Sequence, residues 1–266
     1  MIEPFFLQSE QGALFSLYFS ADNKTDQVIL FIPPFAEELN CSRHLIAQQC
    51  RVLATQGYSV LWIDLWGTGD SEGEFSEATW EIWQANIALA CEYLQERGAE
   101  RVIFWGLRLG GLLAMDCIKD SMLPVEKLIL WQPVLQGKLF INQFIRLKVA
   151  ASKMNAEASP LTSTLIYEQI AAGDYIEVAG YTLNPLLIQS ICAKQATALD
   201  FKVKEILLLV NNDLGNQSNQ AFIEKCNNQQ ISIIAEHCVE DAFWMKHQAV
   251  NENHFNHAML NYLVDY

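Results

Sequence analysis

No two of the seven cysteines are spaced C-x-x-C and their number is odd, so neither a disulfide framework nor a zinc site is indicated. Cys41, Cys50, Cys91, Cys117, Cys192, Cys226 and Cys238 read as small buried residues of a reducing compartment, with no metal and no cofactor expected. Positive charge is also scarce. Seventeen Lys and Arg stand against 31 Asp and Glu, for a formal charge of -14, and the basic residues do not cluster. Nucleic-acid affinity rests on grouped Lys and Arg, so no nucleic-acid partner is expected. Long apolar runs are missing too. The windows 102–115 and 128–135 fall short of the ~18 residues a spanning helix needs, and the first contains Arg108. Met1-Ile2-Glu3-Pro4 has neither the basic start nor the apolar stretch of a signal peptide. The expectation is a cytoplasmic protein without a membrane span, repeat, linker or low-complexity tract.

What remains is a 266-residue chain with 51% hydrophobic residues, ample for one large core. Apolar runs bounded by turn residues lie at 13–19, 28–32, 58–63, 102–105, 128–131, 206–210 and 231–235. Most are continuously apolar, as expected of strands buried on both faces of a parallel sheet. Helical patterns at 42–55, 80–97, 109–119 and 222–226 separate them, so the class is α/β, with a mostly parallel sheet of about eight strands. One gap of roughly seventy residues, after Trp131, far exceeds the usual connection. It implies a cap insertion over 135–203 on a core of 1–134 and 204–266. Expected within the cap are helices at 141–154 and near 165–172, an extended stretch at 175–183, and a helix capped by Asn184 with Pro185 in its first turn.

In such a sheet, ligands bind beyond the carboxyl ends of the strands. After 102–105 comes Gly106-Leu107-Arg108-Leu109-Gly110. This has the frame of a hydrolase nucleophile elbow, G-x-S-x-G, with arginine at the serine position. A guanidinium can bind an anion but cannot attack a carbonyl. After 28–32 comes Pro33-Pro34-Phe35-Ala36-Glu37-Glu38-Leu39-Asn40, where a hydrolase places an oxyanion-hole amide. The prolines have no N–H, so the amides of Phe35, Ala36 and Leu109 are the candidate anion donors. Glu37 and Glu38 read either as site carboxylates or as a solvated tip, and they are the expected partners of Arg108, which cannot be buried alone.

The turn Asp64-Leu65-Trp66-Gly67-Thr68-Gly69-Asp70-Ser71 reads as scaffold. Asp213 stands where a triad acid would follow the strand at 206–210. For the triad histidine, His237 lies too close to the strand end and His247 too far along, with Phe243 and Trp244 filling the stretch between. Gln132 and Trp244 join Phe35, Ala36 and Leu109 as expected ligand contacts.

The stretches beginning at Pro33 and Asp64, together with Trp105-Gly106-Leu107-Arg108-Leu109-Gly110, Leu130-Trp131-Gln132-Pro133-Val134 and Ala179-Gly180-Tyr181-Thr182-Leu183, resemble those of the type 2 exosortase A system-associated hydrolases, within the α/β-hydrolase superfamily. The resemblance runs over most of the chain. It implies the α/β-hydrolase fold, a bacterial source near the exosortase and exopolysaccharide machinery, and arginine as the ordinary residue of the elbow. Three functions follow as expectations. The first is a binding protein for a small anionic or acyl ligand. The second is a serine-independent ester or thioester hydrolase using Glu37 or Glu38 with Arg108. The third is a module docking a protein of envelope sorting.

Overall fold

A computed structural model describes residues 1–21, 27–154, 161–247 and 253–265. In chain order the elements are β1 (Ile2–Gln8), β2 (Ala13–Phe19), β3 (Gln27–Ile32), α1 (Glu37–Thr55), β4 (Ser59–Ile63), α2 (Trp80–Glu96), β5 (Arg101–Leu107), α3 (Leu109–Cys117) and β6 (Val125–Trp131). There follow α4 (Gly137–Met154), α5 (Ser163–Ala172), β7 (Ile176–Val178), β8 (Tyr181–Leu183), α6 (Pro185–Ala193), β9 (Glu205–Val210), α7 (Gln217–Asn228), β10 (Ser232–His237) and α8 (His254–Asp265).

Eight strands form one sheet in the order β1-β2-β4-β3-β5-β6-β9-β10. The first two neighbour pairs, β1 with β2 and β2 with β4, are antiparallel, and the rest of the sheet is parallel. The continuous apolar runs have the cause assigned to them. In β3, Val28, Leu30 and Ile32 enter one core, whereas Ile29 and Phe31 enter the other. In β5, Val102 and Phe104 face the first core and Ile103, Trp105 and Leu107 the second. Period-two alternation thus buries both faces of a central strand past its first residue. Helices α2, α3 and α7 cover the first face, through residues such as Trp83, Leu112 and Phe222. Helices α1 and α8 cover the second, through Leu45, Leu53, Phe255 and Met259.

Two elements escape the sequence pattern. Strand β1 carries Pro4 and buries little, which an edge strand tolerates. Helix α8 buries Phe255, Ala258, Met259, Tyr262 and Leu263, a 3.6-residue stripe that the periodicity rule could have found. Helix starts also move. Helix α1 begins at Glu37, five residues before the expected 42, and α7 begins at Gln217, with the Asn216 side chain accepting from the Asn219 amide. The acidic tip is therefore the first turn of a helix, where carboxylates suit the dipole.

Between β6 and β9 the expected pieces appear. The 175–183 stretch forms the β7–β8 hairpin, and Asn184 caps α6 by accepting from the Leu186 amide at 3.0 Å. Asp116 ties this segment to the body, accepting from Trp80 Nε1 at 2.8 Å and pairing with Lys194 at 2.7 Å. Asp64 is fully buried at the end of β4 and is held by Arg43, the Asp70 amide and Trp62 Nε1 at 2.9–3.0 Å. Ser71 donates to the Asp64 carbonyl and receives the Phe15 amide, so that turn is scaffold as read.

Candidate functional site

Three strand ends converge at the site, and each carries a non-glycine residue at positive φ. Ala36 after β3 has φ 52, Arg108 after β5 has φ 55 and Gln132 after β6 has φ 42. Such conformations cost on the order of 1–3 kcal/mol each and persist where the surroundings over-determine them. At the elbow the surroundings are steric. A Cβ on Gly106 would lie 2.5 Å from the Gly111 Cα, and one on Gly110 would collide with the carbonyl oxygens of Ile32 and Pro33. Only glycines at 106 and 110 let α3 start this close to β3 and β5. Arg108, with ψ -119, is the residue at the apex, held by its amide to the Trp131 carbonyl at 3.0 Å and by its carbonyl to the amides of Gly111 and Val134.

The Arg108 side chain is 15% exposed. Its Nε donates to Glu38 Oε1 at 3.0 Å and a terminal nitrogen donates to the Gln132 carbonyl at 3.3 Å. The guanidinium also lies 5.3 Å from the Trp244 ring centre and 5.9 Å from that of Phe140. Of the two candidate acids, Glu38 is the partner. Burial pushes its carboxyl up, against the pull of the Arg108 charge, and its Oε2 is buried without a partner among the described residues. Glu37 turns away. Its Oε2 accepts from Tyr181 Oη at 2.8 Å and Asn40 Nδ2 at 3.0 Å, and these bonds hold it below the usual carboxylate range.

The weaker candidates do not reach Arg108. Asp213 is exposed and accepts the Gly215 amide at 2.8 Å, closing a local turn. Asn211 is the residue of that loop that meets the final one, donating to the Glu240 carbonyl at 3.3 Å. His237 is exposed at the end of β10, and His247 lies beside Cys41 and Glu37. Among the described residues of the last loop, Trp244 faces Arg108, buried against Phe243 and Phe255.

The expected ligand contacts divide. The amides of Phe35, Ala36 and Leu109 take part in no hydrogen bond among the described residues, as an anion site requires. The Phe35 ring, however, is packed edge-on among Phe75, Trp83, Phe140 and Phe144, and the void behind it measures about 10 Å³, no larger than one water. Space opens on the other side of the elbow. A groove of about 440 Å³, within the range of small-molecule sites, is lined by Arg108, Gln132, Gln136, Phe140, Asn212 and Ser218 among others. Among the described residues, Arg108 is the only charged one that lines it. Sequence reasoning missed the amide-rich wall from α4 and the start of α7, because scattered Asn and Gln carry no motif. Gln132 was found, and its Oε1 anchors the Asn211 amide at 2.7 Å.

This sheet order, with a residue at positive φ between β5 and α3, defines an α/β-hydrolase-fold protein. Residues 23–201 match the model of the family described as serine aminopeptidase, S33, and the chain belongs to that family. Among solved structures it is similar to Est1E from Butyrivibrio proteoclasticus in a complex with ferulic acid, at 15% identity over 98% of each chain with a TM-score of 0.66. Mouse alpha/beta hydrolase domain-containing protein 10 is similar at 15% identity over 99% of this chain and 98% of that one, TM-score 0.60. A putative hydrolase from Agrobacterium vitis is similar at 15% identity over 88% and 90%, TM-score 0.59. No curated protein matches the sequence. Among the described residues, no helix is long and apolar enough to cross a membrane.

Proposed function

We propose that this chain is a binding protein on an α/β-hydrolase scaffold, taking a small carboxylate, phosphate or acyl headgroup without serine hydrolysis. The observation that carries the reading is the groove beside the elbow, where Arg108 is the single charged residue among the described lining. An anion there would meet the guanidinium donors left free by Glu38 and the neutral amides of Gln132, Gln136 and Asn212. Phe140 and Leu139 offer apolar surface for the remainder of such a ligand. Est1E carries ferulic acid, an aromatic carboxylate, which supports this fold as a holder of that chemistry. In this reading the segment 135–203 acts as the cap over the ligand.

Hydrolysis by a triad is disfavoured at each of its three places. Arginine holds the nucleophile position, Asn211 is the acid loop's contact with the last loop, and Trp244 fills the place opposite the elbow. Losing the serine or the histidine alone costs on the order of 10⁶ in turnover. Of the two carboxylates weighed for serine-independent catalysis with Arg108, Glu37 turns to Tyr181 and is held low, a weak base, and Glu38 is engaged in the ion pair with Arg108. A place in exosortase-linked envelope sorting, with a protein partner, is supported by the sequence motifs alone.

Thermal-shift assays with inorganic phosphate, acetate and octanoate test the reading. A stabilisation is expected in wild type and is lost in Arg108→Ala and reduced in Gln136→Ala. No shift with any of the three, or equal shifts in wild type and both variants, would overturn it.

A further inference from the structure

At the first turns of α1, three ligand-type side chains meet. Glu37 and Cys41 are four residues apart in the first turns of α1 and so lie on one helix face. His247 arrives from 206 residues along the chain, two residues past the 3-10 turn (Phe243–Met245) that carries Trp244. Its Nδ1 is 3.7 Å from Cys41 Sγ and 3.8 Å from Glu37 Oε1, and all three ligand atoms fall within 4.8 Å of one another.

We propose that Glu37, Cys41 and His247 bind one divalent cation of the zinc type. The two edges that meet at His247 are close to what a tetrahedral centre demands, and the third, from Cys41 Sγ to Glu37, lies within 4.8 Å. With metal–sulfur bonds near 2.3 Å and metal–nitrogen and metal–oxygen bonds near 2.0–2.2 Å, the edges of the tetrahedron are about 3.4–3.6 Å. Contraction by a few tenths of an ångström brings the observed sulfur–nitrogen and nitrogen–oxygen separations to that value. The donor set selects the metal. Thiolate, imidazole and carboxylate together suit zinc, whereas magnesium and calcium take oxygen ligands.

The carboxylate is already oriented. Tyr181 Oη and Asn40 Nδ2 both donate to Glu37 Oε2, which leaves Oε1 as the oxygen that faces His247. Outer hydrogen bonds of this kind fix a ligand's direction and raise metal affinity. Access is open, because the Glu37 and His247 side chains are 47% and 79% exposed. A fourth coordination position is left for water. Bound metal would join α1, the Trp244 loop and, through Glu37, the hydroxyl of Tyr181 in β8. That bracing makes the wall facing Arg108 stiffer without entering the groove.

The site is independent of the proposed binding function, and its test does not use that ligand. Metal-stripped full-length protein is titrated with Zn²⁺ by calorimetry and with Co²⁺ by absorption. One equivalent is expected to bind, and Co²⁺ is expected to show a thiolate charge-transfer band with tetrahedral visible bands. Cys41→Ser and His247→Ala should each weaken Zn²⁺ binding at least about 100-fold, and Tyr181→Phe about 10-fold. Cys192→Ser, at the other partly exposed cysteine, should bind as wild type does. Circular dichroism of each metal-free variant separates lost binding from lost fold. Absence of binding in wild type would overturn the proposal. So would Co²⁺ spectra without a thiolate band, or unchanged affinity in folded Cys41→Ser and His247→Ala.

Discussion

Removing both halves of the Arg108–Glu38 pair should cost far less than the sum of removing each alone. The two side chains are only 15% and 17% exposed and 3.0 Å apart, and Glu38 has one oxygen with no described partner. Breaking a buried pair costs about 3–5 kcal/mol, because the survivor keeps its desolvation penalty. Arg108→Met should sit at the low end, about 3 kcal/mol, since the groove beside Arg108 lets water approach the stranded carboxylate. Glu38→Leu should cost about 2 kcal/mol, because the guanidinium retains the Gln132 carbonyl and the ring faces of Trp244 and Phe140. The double variant should also lose about 2 kcal/mol, from imperfect packing alone, which implies a coupling of about 3 kcal/mol. Urea denaturation followed by tryptophan fluorescence and circular dichroism measures all four corners. For a chain this size, about 3 kcal/mol corresponds to a melting point lowered by roughly 6–12 °C. An additive cycle, with the double variant losing about 5 kcal/mol, would refute the claim that the two charges depend on each other.

Arg108→Ser should regain no measurable hydrolysis of short acyl esters, because Trp244 and not a histidine faces the elbow; labelling by a fluorophosphonate probe would contradict this. Gly110→Ala should destabilise the fold by about 1–3 kcal/mol, since its Cβ would collide with the backbone oxygens of Ile32 and Pro33, and a melting point within about 1 °C of wild type would count against that geometry. Asn184→Ala should cost about 1 kcal/mol by removing the α6 cap, whereas Asn184→Asp should cost little, as read by the same denaturation assay.

The fold was legible where burial imposes a pattern. Strands β3, β4 and β5 are continuously apolar after their first residue because both faces of the sheet are covered, and the Asn184-Pro185 start of α6 is local cap chemistry. Strand β1 was not, since an edge strand with one fully buried residue has little pattern to show. At the site, the elbow frame and the pairing of Arg108 with an acid of the next loop followed from the motif and the cost of a lone buried charge. Which acid it would be did not follow. Starting α1 at Glu37 turns that residue toward Tyr181 and its neighbour toward the elbow, a difference of one helical position. The meeting of Cys41 with His247 was beyond reach, because cysteine spacing along the chain says nothing of a histidine 206 residues away.

The central claim is that position 108 now serves binding and not chemistry. Calorimetric titration of octanoate into wild type and Arg108→Gln tests it most directly, because that substitution keeps a polar side chain at the elbow while removing the guanidinium and its charge. The account predicts saturable binding to wild type and at least a tenfold weaker constant in the variant, a difference of about 1.4 kcal/mol. Equal constants in the two proteins, or turnover of an octanoyl ester by wild type, would contradict it.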